Sequence, residues 1–123
     1  MRASADILVI EDDAALGDLF LDALGAEGYT VRVIPDAAQA GRTLDTRLPD
    51  LILCELRLLG LPGRDLIVHL QGVLPASVPI VIMTANAHAA HPWVDVNVAS
   101  CLLKPFDLDT LFACVAAHRR VLS

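Results

Sequence analysis

Side chains that could do chemistry follow four short apolar runs in this sequence. The polar residues and the runs before them are Glu11 and Asp12 after 7–10, Glu55 after 51–54, Thr84 after 80–83, and Lys104 after 101–103. Short apolar runs of this kind are typical of parallel strands that are buried on both faces. Because parallel strands end at the same edge of a sheet, we expect three carboxylates, a hydroxyl and an ammonium to meet there.

These residue types indicate a particular chemistry. Carboxylates gathered at one edge repel one another unless positive charge lies among them, and such oxygen ligands suit Mg²⁺. Lys104 would supply a second positive charge and Thr84 a hydroxyl donor. Metal, lysine and hydroxyl together stabilise a phosphoryl group during its transfer, whereas the chain lacks the glycine-rich loop of a nucleotide site. The residues therefore favour a carboxylate that accepts a phosphoryl group.

The composition indicates a single domain, 1–123, that is long enough for its own hydrophobic core. Its apolar fraction of 55% suits a sheet covered on both faces. No apolar run approaches the roughly 20 residues that a membrane span requires, and the first residues do not have the pattern of a signal peptide. We therefore expect a cytoplasmic protein without a membrane partner.

Charge and thiol content weigh against several other functions. The net charge of −6 argues against direct nucleic-acid binding, for which a basic face would be expected. The three cysteines are predicted to be buried, reduced thiols and not a redox centre. His88 and His91 have i, i+3 spacing, but a solvated loop is predicted there in preference to a zinc site. Lys104 is the only lysine in the chain.

Hydrophobic periodicity predicts strands and helices in alternation. The strands are expected at 7–11, 29–34, 51–55, 80–83 and 101–103, and the helices at 14–26, 37–46, 64–73, 92–97 and 108–121. Asp13 should cap the first helix and Gly28 should end it. This alternation predicts an α/β fold with a parallel sheet and right-handed crossovers.

The same patterns predict which side chains are buried. The apolar faces are Leu16, Leu19, Phe20, Ala23 and Leu24 in the first helix, and Leu108, Leu111, Phe112, Val115 and Ala116 in the last. Arg32 is expected to face away from the core on a less buried strand, and 59–63 is expected to be a loop because of its glycine and proline content.

Four motifs in this order make the chain resemble a response-regulator receiver domain of bacterial two-component signalling, over essentially its full length. They are ILVIEDD at 7–13, PDLILCELRLLGLPG at 49–63, VIMTA at 81–85 and LKPF at 103–106. The resemblance implies a flavodoxin-like three-layer α/β sandwich around a five-stranded parallel sheet of order 2-1-3-4-5. It also implies a signalling module, not an enzyme.

The resemblance assigns the acids after the first and third strands to a Mg²⁺ site. Asp12 would bind the metal directly and Glu11 through a water. Glu55 and the backbone carbonyl of Arg57 would complete the protein ligands.

The resemblance also assigns the phosphoryl site. Glu55 occupies the position of the phosphorylated aspartate, Thr84 would contact the phosphoryl oxygens, and Lys104 would pair with them. The Lys104-Pro105 peptide bond is expected to be cis, as is common in the family.

Three departures from the family's pattern decide the prediction. Position 55 is Glu in place of Asp, and the extra methylene moves the carboxylate by roughly 1.5 Å, a scale that matters for in-line attack. Cys101 stands where the family has a switch aromatic, and Leu59 and Pro62 alter the loop after position 55. We predict a degenerate, phosphorylation-independent receiver, in which Glu55 and Lys104 hold one state and Mg²⁺ binding is weakened or absent.

Two other functions stay open from the sequence alone. An ordinary phosphorelay receiver would accept a phosphoryl group from a histidine kinase, and a flavodoxin-like enzyme or flavin-binding domain would hold a cofactor. The expected partner is a histidine kinase or another signalling protein. The face formed by the fourth helix, fifth strand and fifth helix is the predicted partner surface, and the last helix is a candidate homodimer contact.

Overall fold

The computed structural model of the chain describes residues 5–36, 39, 42–43, 47–55, 57–58, 61–62, 68–72, 74–75, 77–85 and 99–118. The strands in these ranges are β1 (Asp6–Ile10), β2 (Thr30–Ile34), β3 (Leu51–Glu55), β4 (Arg57–Leu58), β5 (Leu61–Pro62), β6 (Ile80–Thr84) and β7 (Ser100–Leu103). The full helices are α1 (Ala14–Ala26) and α2 (Leu108–His118), and residues 68–72 are also helical. The predicted helix at 92–97 and the histidines at 88 and 91 lie outside the described residues.

Five strands form one parallel sheet in the order β2-β1-β3-β6-β7. Counted among themselves, they have the predicted order 2-1-3-4-5, and each neighbouring pair is parallel. Every residue of β1, β3 and β6 is buried, because these central strands are covered on both faces, as their continuous apolar runs predicted. β2 at the edge is more exposed.

The main core lies between one face of the sheet and the two helices α1 and α2. Its buried members are Ala5, Ile7, Val9, Phe20, Leu24, Leu51, Leu53, Val81, Met83, Leu102, Leu111 and Val115. Residues of a strand point alternately to its two faces, so the positions between these strand residues are buried on the other face. The core fixes the strands whose carboxyl ends carry the predicted site.

Both ends of α1 have the predicted capping chemistry. The Leu16 N–H donates to Asp13 Oδ1 over 3.1 Å at the start of the helix. At its end, Gly28 has φ +96°, a conformation that side chains disfavour. The N–H groups of Gly28 and Tyr29 donate to the carbonyls of Gly25 and Leu24 over 3.0 and 3.2 Å, which is the pattern of a Schellman motif.

The predicted buried faces of the helices are partly wrong. Leu19 is 45% exposed and Leu108 is 42% exposed, whereas Gly17 is buried. A Cβ atom at Gly17 would lie 3.0 Å from Val33 Cγ1, so the glycine allows α1 to approach β2 closely. The helix therefore turns a glycine toward the sheet and leaves Leu19 toward solvent. In α2, Ala116 is likewise exposed.

A polar cluster at the amino edge of the sheet was not predicted. The Asp6 N–H donates to Asp50 Oδ2 and the Asp50 N–H donates to the Asp6 carbonyl, each over 2.7 Å. The Asp6 carboxylate also pairs with Arg32 at 3.2 Å and Arg47 at 2.5 Å. Val31 and Val33 pack against the core and Arg32 does not, as predicted, but the ion pair with Asp6 leaves the Arg32 side chain only 19% exposed.

Within 59–63, which was predicted to be a loop, the structure describes Leu61 and Pro62. Leu61–Pro62 forms β5, which pairs antiparallel with β4 at Arg57–Leu58. The prediction of a loop is therefore wrong for Leu61 and Pro62.

Candidate functional site

Four neighbouring strands, β1, β3, β6 and β7, place the predicted site residues at one edge of the sheet. Glu11 follows β1, Glu55 ends β3, Thr84 ends β6 and Lys104 follows β7. These strands are consecutive neighbours in the sheet. Their registers place Glu55 opposite Met83, and Thr84 opposite Leu103. The convergence follows from the parallel topology, as expected from the apolar runs.

Lys104 lies between two buried carboxylates. Its Nζ donates to Glu11 Oε2 over 3.1 Å and forms an ion pair with Glu55 Oε2. The side chains of Glu11 and Glu55 are 2% and 6% exposed, and that of Lys104 is 23% exposed. We refer to Glu11, Glu55 and Lys104 as the charged triad.

The backbone fixes the position of the lysine. The Lys104 N–H donates to the Thr84 carbonyl over 2.7 Å, and Thr84 itself is buried. The Lys104-Pro105 peptide bond is cis, as the resemblance implied. The ammonium is thus positioned by β6 and by the turn that follows β7.

Burial and ion pairing act in opposite directions on the triad. Burial raises the pKa of Glu11 above its usual value, and the hydrogen bonds from Lys104 and the Asp13 N–H only partly offset this. Burial lowers the pKa of Lys104, but the hydrogen bonds and charges of Glu55 and Glu11 outweigh it, so the pKa is raised. The lysine is therefore an ammonium ion at physiological pH, held by acids that have little access to water.

Asp12 lies beside the triad, at the rim of an open groove of about 260 Å³ next to α1. Glu11 and Asp13 also line this groove, and the Asp13 N–H donates to Glu11 Oε1 over 3.2 Å. Asp12 is exposed. The predicted metal ligands are therefore divided between a buried pair at Lys104 and one carboxylate at the surface.

The donor atoms fit Mg²⁺ in type, because the ion prefers carboxylate oxygens and retained waters. Within the described ranges, however, no three histidine, cysteine or acidic side chains converge closely enough to hold a metal. Arg57, whose carbonyl was a predicted ligand, belongs to β4. The Mg²⁺ site remains a prediction.

Two features near the site were not predicted. An apolar groove of about 410 Å³ is lined by Leu16, Leu19, Ala85, Lys104, Pro105, Phe106 and Leu108. Leu19 and Leu108 were the indication in the sequence, because these two apolar residues line the groove and are not covered by the sheet. Cys101 and Cys114 are only half-buried, which corrects the prediction that all three thiols are buried.

Comparison with known proteins identifies the family. Residues 7–116 match the family model described as the response regulator receiver domain. The chain belongs to this family. The predicted membership, the α/β fold and the link to bacterial two-component systems are thereby confirmed. Receiver domains are signalling domains that interact with histidine kinases.

Curated relatives of this receiver domain are longer proteins. It is 34% identical to the DNA-binding response regulator MtrA of Mycobacterium tuberculosis over 116 residues, which are 93% of this chain and 50% of MtrA. It is 32% identical to the transcriptional regulatory protein GlrR of Escherichia coli, over 90% of this chain and 25% of GlrR. The chain thus spans about half the length of MtrA and about a quarter of the length of GlrR.

Solved structures of receivers have the same architecture. The BeF3-activated N-terminal receiver domain of Klebsiella pneumoniae RstA is 27% identical, with a TM-score of 0.85, over 94% of this chain and 99% of that one. The chemotaxis protein CheY4 of Vibrio cholerae is 19% identical, with a TM-score of 0.86, over 94% of this chain and 99% of that one. At this identity the similarity supports the fold alone. In the described part of the receiver, no helix has the length and apolar character for a membrane span.

Proposed function

We propose that this receiver domain is a signalling module whose state does not depend on phosphorylation. The observation that carries the proposal is the ion pair between Glu55, at the phosphoacceptor position, and Lys104. In the family pattern, the lysine pairs with oxygens of the phosphoryl group. Here the longer acid of Glu55 already provides a carboxylate partner for the ammonium.

The surroundings of Glu55 disfavour attack on a phosphodonor. A nucleophile in an in-line displacement must reach the phosphorus with correct distance and orientation. The Glu55 side chain is 6% exposed and is held by Lys104, and its carboxylate is displaced by roughly one C–C bond length relative to an aspartate. A donor would have to break the ion pair and enter a buried site before the reaction.

The chain's own residues at this edge of the sheet would nevertheless suit a divalent cation. Glu11, Asp12, Glu55 and the Arg57 carbonyl would hold Mg²⁺, which would neutralise charge on phosphoryl oxygens when bound. We propose that this site is weakened, because Lys104 already compensates two of the carboxylates. Thr84 is buried at the end of β6, and we propose that it supplies the hydroxyl donor of the family pattern.

The output surface is also proposed to differ from that of a switching receiver. Cys101 on β7 replaces the aromatic side chain that would reorient on activation. We propose that β7 and α2 present a fixed surface to a histidine kinase or another signalling protein, and that the exposed side of α2 supports a homodimer. MtrA is named a DNA-binding response regulator and GlrR a transcriptional regulatory protein, so any transcriptional output here would belong to a longer protein.

Incubation with Mg²⁺ and either acetyl phosphate or beryllofluoride tests the proposal. Intact-mass spectrometry for acetyl phosphate and ¹⁹F NMR for beryllofluoride should detect no stoichiometric adduct on the wild type. The matched variant Glu55→Asp shortens the acid by one methylene and should acquire the adduct. A stoichiometric adduct at Glu55 in the wild-type protein would refute the proposal.

An ordinary phosphorelay receiver is the second candidate function. It is favoured by the similarity to RstA, whose receiver was solved in a BeF3-activated form. This function predicts phosphorylation of the wild type by a histidine kinase and little change in Glu55→Asp. The third candidate, a flavin-binding or enzymatic domain of the same fold, predicts a bound cofactor and an absorbance band beyond that of the aromatic residues.

A further inference from the structure

The charged triad contains two carboxylates and one ammonium, and all three are held in fixed positions. Glu11 accepts hydrogen bonds from Lys104 at 3.1 Å and from the Asp13 N–H at 3.2 Å, one on each oxygen. Glu55 pairs with the same ammonium through its Oε2 atom. Both acids that the family pattern would offer to a metal at this depth are therefore directed at Lys104.

We infer that the Lys104 ammonium is the resident cation of this receiver and excludes Mg²⁺ from Glu11 and Glu55. A divalent cation could reach these two carboxylates only by displacing the ammonium. The inference rests on the position of Glu55 that also supports the proposed function, but it concerns metal binding and not phosphorylation.

Electrostatics favours the ammonium over a shared arrangement. A cation that bound Glu11 and Glu55 together would lie within a few ångströms of Lys104 Nζ, because the ammonium contacts both acids. Like charges at such a distance repel, and the repulsion is stronger in a poorly hydrated site than in water. A divalent ion experiences twice the repulsion from the ammonium that a monovalent ion does, and this repulsion offsets part of its attraction to the two carboxylates.

The contacts of Lys104 also limit how far its ammonium can move away from Glu11 and Glu55. Its backbone N–H is bonded to the Thr84 carbonyl at 2.7 Å, and its stem lines the apolar groove together with Pro105 and Phe106. The side chain is 23% exposed, so the ammonium would have to leave two buried anions for solvent. Among the three predicted acidic ligands, Asp12 is the one exposed at the surface, and a single exposed carboxylate holds Mg²⁺ weakly.

Metal titration of Lys104 variants, in the absence of any phosphodonor, tests this inference. Lys104→Met keeps an unbranched apolar stem and removes the charge, and Lys104→Arg is the matched control that keeps the charge. Isothermal titration with Mg²⁺, and loss of the free Mn²⁺ signal in electron paramagnetic resonance, report binding directly. We expect Lys104→Met to bind either ion at least about tenfold more tightly than the wild type, since one neighbouring charge shifts an ionic equilibrium by about that factor or more.

Two further measurements keep the inference falsifiable. Lys104→Arg should bind as weakly as the wild type, and Glu11→Gln in the Lys104→Met background should remove the gained affinity. If Lys104→Met does not fold, Glu55→Asp retains the lysine while shortening the acid that it contacts, and this variant should also bind Mg²⁺ more tightly. The inference is overturned if the wild type binds Mg²⁺ as tightly as Lys104→Met, or as tightly as Glu55→Asp when that variant is the one measured.

The outcomes for metal and for phosphorylation are separable. An adduct on wild-type Glu55 would contradict the proposed function, whereas a metal affinity that Lys104 does not influence would contradict only the present inference. Neither measurement requires the other to succeed.

Discussion

Removal of the Lys104 ammonium should destabilise the fold and not only alter the site. In Lys104→Met, the carboxylates of Glu11 and Glu55 remain buried and lose their common counter-ion. At the 3.1 Å between Lys104 Nζ and Glu11 Oε2, an effective dielectric constant of about 20 gives an attraction of about 5 kcal/mol. Hydration regained by the acids offsets part of this, and breaking a buried ion pair costs about 3–5 kcal/mol. The 23% exposure of the lysine places the expected loss near the lower value.

Urea denaturation, followed by circular dichroism in the absence of divalent ions, measures this loss as a shift in midpoint at constant slope. A double-mutant cycle with Glu55→Gln isolates the pair. If the ammonium and the carboxylate interact as described, the double variant should be less destabilised than the sum of the single variants, by about 1–3 kcal/mol. Lys104→Arg is the charge-preserving control and should lose less stability than Lys104→Met.

The pH dependence supplies a second test with a definite sign. Burial raises the pKa of Glu11 in the folded state, and loss of the ammonium raises it further. A carboxyl group whose folded pKa lies above its unfolded pKa binds a proton first in the folded state, so stability increases as the pH falls through the folded pKa. The deficit of Lys104→Met should therefore narrow as the solution is acidified from neutral pH toward the folded pKa of Glu11. Additive effects in the cycle, together with a deficit that is the same at every pH, would refute the reasoning.

Three other predictions follow from the described contacts. Gly28→Ala should destabilise the protein by about 1–2 kcal/mol, because Gly28 has a positive φ. Gly25→Ala should stabilise it by about 0.5–1 kcal/mol, because Gly25 lies within α1 with open space where a Cβ would be. Equal urea midpoints for the two variants would contradict this prediction. Asp50→Ala should cost about 1–3 kcal/mol, because the buried Asp6 N–H loses its acceptor, and Asp50→Asn, which keeps an acceptor, should cost less in the same assay. Iodoacetamide followed by peptide mass mapping should modify half-buried Cys101 before Cys54, whose pKa is raised strongly by burial; labelling of the native protein at Cys54 first would argue against the described packing.

The arrangement of the strands could be predicted because its signal is local. A continuous apolar run such as 51–54 needs cover on both faces, and only a parallel sheet between helices provides it for several strands. Once that sheet is assumed, Glu11, Glu55 and Lys104 must lie at one edge. Their meeting therefore follows from the sequence without any knowledge of side-chain conformation.

Features that depend on how elements pack could not be predicted in the same way. Periodicity assigned Leu19 to the core of α1, but the sheet contacts the helix along the line of Gly17. The apolar face of α1 is wider than the strip of the helix that contacts the sheet. Periodicity therefore does not distinguish the buried residues from those that line the groove beside Lys104. Leu108 was misassigned for the same reason.

The polar residues at the amino edge illustrate a second limit. Asp6 and Asp50 are 44 positions apart, and nothing near either residue in the sequence indicates that the backbone of one bonds the side chain of the other. Their partnership exists because β1 and β3 are neighbours in the sheet. The separate position of Asp12 at the rim of the groove likewise depends on where the chain turns after β1, and the acidic pattern alone does not report that turn.

Lys104 leaves the sheet from a strand that, among the described strands, pairs on one side only, with β6. A lateral strand is restrained by fewer neighbours than a central one, and its outer side can pair with a second molecule. A molecule that docked along this margin and displaced β7 would act on the bond from the lysine N–H to the Thr84 carbonyl, and so on the position of the charge beyond it. By thermodynamic reciprocity, whatever loosens that charge must change the affinity of the docking molecule by the same factor.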